Sequence, residues 1–179
     1  DVRSVMITSP SGQEGKTTVA GQLAISLARS GRRTLLIDAD MHNPQQHLVF
    51  GVDAQVGLCD LLRGSGTLEQ VAHSASVDGL SVMAAGFCDF ASLQALAGDP
   101  IYQILEEAMD QYDFVVVDSG PVLTGADPLL SVRRDVSRIP KINDACDRLR
   151  AVGINIMGAV VNGTGAEVRR NRLQLTNKA

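Results

Sequence analysis

The sequence predicts an α/β fold, a mainly parallel β-sheet with helices on both faces. Three observations carry that prediction. The loop SPSGQEGKTT stands between a short apolar run and a helical repeat, TLLI at 34–37 runs into Asp38 and Asp40, and FVVV at 114–117 runs into Asp118. Strands buried on both faces read as continuous apolar runs, and such runs alternating with helical periods are the pattern of βα units.

The elements follow in order. Val5, Met6 and Ile7 predict a first strand. Val19, Ala20, Leu23, Ala24, Leu27 and Ala28 recur at helical spacing and stop at Gly31, a helix period closed by its usual terminator. TLLI is the second strand, and Asn43-Pro44 disfavours an immediate helix because the residue before proline avoids the helical region. Leu80, Val82 and Met83 suggest a third strand. Asp99-Pro100 is expected to cap a helix that carries Ile101, Ile104, Leu105, Ala108 and Met109. FVVVD follows as a buried strand. Between Asp118 and Pro140 the sequence reads as loop, and missing residues are suspected at the Leu130–Ser131 junction. A helix from about Pro140 to Val152 presents Ile139, Ile142, Cys146 and Leu149 on one face, Gly153 stops it, and NIMGAVVN forms the last strand.

Composition bounds the function. A chain of 179 residues fits one domain over 1–179. With 45% hydrophobic residues, 3% aromatic residues and no Trp, its core must be built from Val, Leu, Ile, Ala and Met. A net charge of -4 gives no general attraction to nucleic acid or anionic lipid. The basic stretch EVRRNRLQLTNK near the end reads as a solvated helix face. Cys59, Cys88 and Cys146 lack a C-x-x-C pair, so neither a metal site nor a disulfide framework is indicated, and a reducing cytoplasm is the simplest setting. The apolar stretch VGINIMGAVV is shorter than a membrane-spanning helix requires. The chain opens almost directly into an apolar run without an initiator Met, which suggests a fragment of something longer and leaves membrane attachment elsewhere open.

The chemistry clusters in loops at the strand C-termini, where open α/β sheets bind ligands. SPSGQEGKTT must turn sharply and present backbone N–H groups to phosphate. Gly12 and Gly15 permit the turn, Gln13, Glu14 and Thr18 add their backbone, and the following helix N-terminus attracts the anion. Lys16 supplies a point charge for the β and γ phosphates, Thr17 a hydroxyl for Mg²⁺, and Thr18 a hydroxyl for the α-phosphate. Pro10 stands where the strict phosphate-loop pattern has its first Gly. Asp118 ends a strand where a metal-holding acid is expected. Asp38 and Asp40, one residue apart, point the same way on an extended backbone, toward one metal or one attacking hydroxyl. The alternatives are an ordinary turn for the loop, a solvated strand end for Asp118 and a turn-initiating pair for Asp38 and Asp40. His42, His47 and His73 lack metal-ligand spacing.

SPSGQEGK, LLIDADMHNP and FVVVDSGP resemble, in order and spacing, the Walker A, Walker A′ and Walker B elements of the bacterial tyrosine kinases (BY-kinases). VGLCDLLRG, GLSVMAAG, YDFVVVDSGPVLTGAD and GINIMGAVVNG extend the likeness over nearly the whole chain. It implies a P-loop NTPase-like domain that binds ATP and Mg²⁺ and phosphorylates tyrosine in capsule or exopolysaccharide assembly. Lys16, Asp38 and Asp40 would be catalytic, Thr17, Asp38 and Asp118 would hold the metal, and Asn162 would read adenine. It also implies a homo-oligomer working with a membrane polysaccharide co-polymerase, fused or separate, at the inner face of the plasma membrane. The chain departs from the family at His42, where an Arg is usual, in lacking an Asn-Pro segment near 88–92, and in having only Tyr102 and Tyr112 rather than a tyrosine-rich tail. Both tyrosines are expected to be packed.

Three rivals remain. A partition or positioning ATPase of the same branch would carry a second lysine early in the loop, where Ser9, Pro10 and Ser11 stand. A non-catalytic scaffold would need ATP only to order an assembly. Nucleic-acid binding through Arg133, Arg134, Arg169, Arg170 and Arg172 lacks aromatic stacking partners.

Overall fold

The structure is a computed structural model that describes residues 2–96, 98–120, 127–134, 137–151 and 156–163, with the side chains of 127–130 left aside. Its strands are β1 (Ser4–Thr8), β2 (Thr34–Ala39), β3 (Ala72–Ser74), β4 (Leu80–Met83), β5 (Phe114–Ser119), β6 (Asp127–Arg133) and β7 (Gly158–Asn162). They form one sheet in the order β3-β4-β2-β5-β1-β6-β7. Every pairing is parallel except that of β3 with β4. The helices are α1 (Lys16–Arg29), α2 (Gln46–Phe50), α3 (Leu58–Leu62), α4 (Leu68–Val71), α5 (Phe90–Leu96), α6 (Asp99–Gln111) and α7 (Ile139–Ala151).

The continuous apolar strands split their side chains between two cores, because successive residues of a strand face opposite ways. Leu35, Ile37, Val115 and Val117 pack with Ile101, Ile104, Leu105 and Ala108 of α6. Leu36 and Val116 pack on the other face with Ala20, Ala24 and Ala28 of α1. The small residues on α1 bring that helix close to the sheet. Gly21 belongs to the same seam: a Cβ there would meet the Phe50 ring at 3.4 Å. Gly31, at φ +83, ends α1 as expected.

Several expectations need correction. The segment expected to be loop contains β6, which pairs with both β1 and β7. Asp127, Pro128 and Ser131 interrupt its apolar pattern, and it is the two neighbouring strands that make it a strand. The three-residue β3 and the short helices α2 to α5 were not foreseen, since elements of that length hold too few residues to show a period. Gly98 rather than Asp99 is the N-cap of α6, with Pro100 in its first turn. On α7 Leu149 is buried, but Ile139 is 72% exposed, so the expected apolar face is incomplete. Its expected end at Val152 and Gly153, the start of the last strand and the basic stretch 167–178 lie outside the described residues.

The cysteines also differ from expectation. Cys59 on α3 and Cys88 after β4 are joined in a disulfide, their Cα atoms 5.5 Å apart. Leu58 and Cys59 donate backbone N–H bonds to Ala84 and Ala85, each at 2.9 Å, which lays the two segments side by side. Spacing in the sequence carried no sign of this contact, and the argument for a reducing setting from unpaired cysteines loses its support. Arg63 reinforces the junction, donating to the Phe87 carbonyl at 2.8 Å and to Asp60 at 2.7 Å. No described helix is long and apolar enough to cross a membrane.

The approach of 57 to 84–86 leaves no room for a side chain, since a Cβ at Gly57 would run into the Ala84 carbonyl and the Gly86 amide. Gly57→Ala is expected to cost at least about 2 kcal/mol by backbone overpacking. A urea denaturation midpoint indistinguishable from wild type would refute this.

Candidate functional site

Parallel strands that start together end together, and here β1, β5 and β2 finish at one edge, with Ile7 paired to Asp118 and Asp118 paired to Asp38. The loop after β1 and the acids of β2 and β5 are therefore neighbours. An open cleft of about 950 Å³ lies over this edge, lined by residues 9–18 together with Asp40, His42, Asn43, Arg133, Asn162 and Gly163.

The loop owes its shape to Gln13 at φ 63 and Gly15 at φ 84. Gly12 has ordinary backbone and open space around it, so the expectation that it permits the turn passes to Gln13, a side-chain-bearing residue in the left-handed region. A side chain at Gly15 would be strained by its φ of +84, and its Cβ, 2.8 Å from Asn162 Nδ2, would push the Asn162 amide aside. Lys16 and Thr17 open α1, and Thr18 follows in its first turn. Their backbone N–H groups have no partner within the helix and are free for an anion.

Glu14 faces inward and braces the loop. Its carboxylate accepts from Ser11 N at 3.0 Å, Ser11 Oγ at 2.9 Å and Ser137 Oγ at 2.5 Å, and the side chain has no exposure. Burial would raise its pKa, but the bonds from Ser137 and Ser11 outweigh burial and hold it below the usual carboxylate range. The Glu14 carbonyl accepts from Ser131 Oγ at 3.0 Å and from Asn162 Nδ2 at 2.9 Å. Asn162, at the end of β7, thus directs its amide nitrogen at the loop. Arg133, at the end of β6, lines the same side and donates to the Gln13 carbonyl at 3.2 Å. Ser131, Arg133 and Ser137 were missed as site residues because the strand that brings them here was taken for loop.

The two acids expected to act together are separated. Asp38 is buried and accepts from Asp40 N at 3.2 Å, Gln45 N at 2.8 Å and Gln46 N at 2.9 Å. Asp40 lies past the end of β2, so strand alternation no longer applies. It lines the cleft half-buried, with Oδ1 accepting from Asn43 N at 3.2 Å. Burial pushes the Asp38 carboxyl up to about 6, against the pull of its three backbone donors, and the Asp40 charge adds to the rise.

Asp118 is buried beneath the loop. Its Oδ2 accepts from Gln46 Nε2 at 2.8 Å, while Oδ1 is buried without a hydrogen-bond partner. Burial raises this carboxyl to about 6. The Gln46 bond lowers it, the Asp38 charge raises it, and Thr17 and Lys16 lower it. A bare carboxylate oxygen with a threonine hydroxyl beside it offers the oxygen ligands that a hard divalent cation takes, so the residues present fit Mg²⁺. Gln46 was missed; nothing in QQHLVF distinguishes it. Tyr112 is partly buried against the core, but Tyr102 is 42% exposed on α6, so only one of the two tyrosines is packed as expected.

Comparison with known proteins agrees with this geometry. The profile of the CobQ/CobB/MinD/ParA nucleotide binding domain family matches residues 5–176. Putative tyrosine-protein kinase EpsB of Ralstonia solanacearum is 34% identical over 168 residues, which cover 88% of this chain and 22% of that protein. The chain thus spans about a fifth of its length. Tyrosine-protein kinase YwqD of Bacillus subtilis is 30% identical over 172 residues, 90% of this chain and 73% of that one. The kinase domain of Escherichia coli tyrosine kinase ETK superposes with a TM-score of 0.85 at 29% identity, covering 99% of this chain and 72% of that one.

The two raised carboxyls set a pH dependence. Both bind a proton more readily in the folded state, near pH 6, than unfolded, near 3.8. Their contribution to stability therefore grows as pH falls through 6 toward 4 and is lost as pH rises. Glu14, shifted the other way, loses its contribution only below the usual carboxylate range. The melting midpoint of the ligand-free protein should rise between pH 7.5 and pH 5, and rise less in Asp118→Asn. Equal slopes in the two proteins would contradict the assignment.

Proposed function

This chain is a member of the CobQ/CobB/MinD/ParA nucleotide-binding domain family, and from that premise we propose that it binds ATP with Mg²⁺ and transfers the γ-phosphoryl group to a tyrosine hydroxyl of another subunit. The observation that carries the proposal is the buried Asp118 carboxylate, with one bare oxygen, beside Thr17 at the start of α1. The tyrosine-kinase relatives supply the acceptor class.

The loop 12–18 receives the phosphates on its backbone N–H groups, and Lys16 places its charge on the β and γ phosphates. Thr17 Oγ1 and Asp118 Oδ1 would hold the cation, whose charge would stabilise the transferring phosphoryl group. Asp38, committed to three backbone donors, shapes the turn toward α2 and adds its charge beneath the site. Asp40 is the acid that reaches the cleft. Its Oδ2 takes the role of orienting the acceptor hydroxyl and accepting its proton, as the tyrosine oxygen bonds to phosphorus and ADP leaves. Asn162 flanks the nucleoside end, its amide nitrogen tied to Glu14 and its carbonyl oxygen left to accept from the adenine amino group.

Two further features belong to the proposal: a homo-oligomer that brings one subunit's tyrosine to its neighbour's cleft, and a membrane polysaccharide co-polymerase at the inner face of the plasma membrane. The net charge of -4 gives no support to nucleic acid as a partner. His42 lines the cleft in the place where the family usually has an Arg, so the acceptor meets an imidazole there in place of a planar guanidinium fork.

ATP turnover with Mg²⁺ is expected to fall roughly 10²- to 10³-fold in Lys16→Met and in Asp118→Asn, and phosphotyrosine on the full-length protein is expected to vanish in both. ADP release without phosphotyrosine would replace the kinase with an ATPase. Binding without turnover would leave a scaffold. Asn162→Ala is further expected to weaken ADP more than pyrophosphate in calorimetric titration, and equal losses would remove its adenine role.

A further inference from the structure

One residue touches all three nucleotide motifs, and it is neither acidic nor basic. Gln46, the first residue of α2, has no exposed surface. Its backbone N–H donates to Asp38 Oδ2 at 2.9 Å, and its Nε2 donates to the Thr17 carbonyl at 3.0 Å and to Asp118 Oδ2 at 2.8 Å. Its Oε1 is buried without a hydrogen-bond partner. The fold makes room for this side chain. Gly21 of α1 lies opposite, and a Cβ there would come within 3.5 Å of Gln46 Oε1, so a residue unfavourable to helices occupies a helix interior where the amide needs the space.

We propose that Gln46 is the positioning residue of the cation site, acting through Asp118. The amide occupies Oδ2 and so fixes the plane of the carboxylate, leaving Oδ1 as the oxygen presented to the metal. A neutral two-donor group suits this place. Asp38 and Asp118 lie alongside each other in the sheet; a third carboxylate would add repulsion, and an ammonium would compete with the cation. Because the same residue is held by Asp38 and by the carbonyl of Thr17, the turn after β2, the start of α1 and the end of β5 move as one unit. Outer partners of metal ligands commonly set affinity by roughly 10- to 100-fold.

The inference rests on the nucleotide-and-cation reading above, and the test separates the two. ADP affinity is measured by titration calorimetry in excess EDTA and over a series of Mg²⁺ concentrations, for wild type, Gln46→Met, Asp118→Asn and the double variant. Methionine keeps the length and removes the donors; Gln46→Asn, which shortens the amide, serves if the Met variant does not fold. The expected result is unchanged ADP affinity in EDTA, with the Mg²⁺ concentration for half-maximal enhancement raised roughly 10-fold or more, and no further rise when Gln46→Met is added to Asp118→Asn. Equal loss with and without Mg²⁺ would reduce Gln46 to packing, and additive losses in the double variant would show that it does not act through Asp118. Wild-type binding indifferent to Mg²⁺ would overturn the cation reading itself, whatever the variants do.

Discussion

The site exists because three parallel strands stop at the same level. The register that pairs Ile7 with Asp118 and Asp118 with Asp38 brings the turn after β1 and two carboxylates together from residues far apart in the chain. Nothing local could hold those acids so close. Burying them side by side is unfavourable, and both carboxyls are raised for that reason. The backbone donors to Asp38 and the single amide on Asp118 compensate only part of the cost. The remaining charge is of the kind a divalent cation would balance.

The bracing of the loop comes from the opposite side. Ser131, Arg133, Ser137 and Asn162 all reach residues 13 or 14, so β6, β7 and the turn between β6 and α7 hold the outer wall while β2 and β5 supply the floor. Glu14 sits at their centre with its charge satisfied internally. The loop is therefore rigid at its middle and open at its mouth, where Lys16, Thr18 and Asp40 line the cleft.

Much of this was legible in the sequence, and for a common reason. TLLI and FVVV are uninterrupted apolar runs that end in acids, and the helical repeat of α1 begins just after the loop. Local pattern was enough to single out Lys16, Thr17, Asp38, Asp40 and Asp118 as candidates, and the fold brings them to one edge of the sheet. What escaped depended on tertiary neighbours. β6 is polar in places and is a strand because β1 and β7 flank it; Gln46 matters because α2 folds back beneath α1. Cys59 meets Cys88 because two glycines let backbones touch. The divergence of Asp38 from Asp40 follows from the strand ending one residue too early for alternation to keep them together.

The alanine seam of α1 reaches beyond packing. Ala20, Ala24 and Ala28 fix the distance between helix and sheet, and the same helix carries Lys16 and Thr17 at its front end. At 1.5 Å per residue, Ala28 lies about 18 Å behind Lys16 along the axis. A single added methyl group there would tilt a stiff rod whose tip lines the cleft. The back of α1 is thus a lever, and an engineer wishing to retune this cleft without altering any residue inside it would begin there.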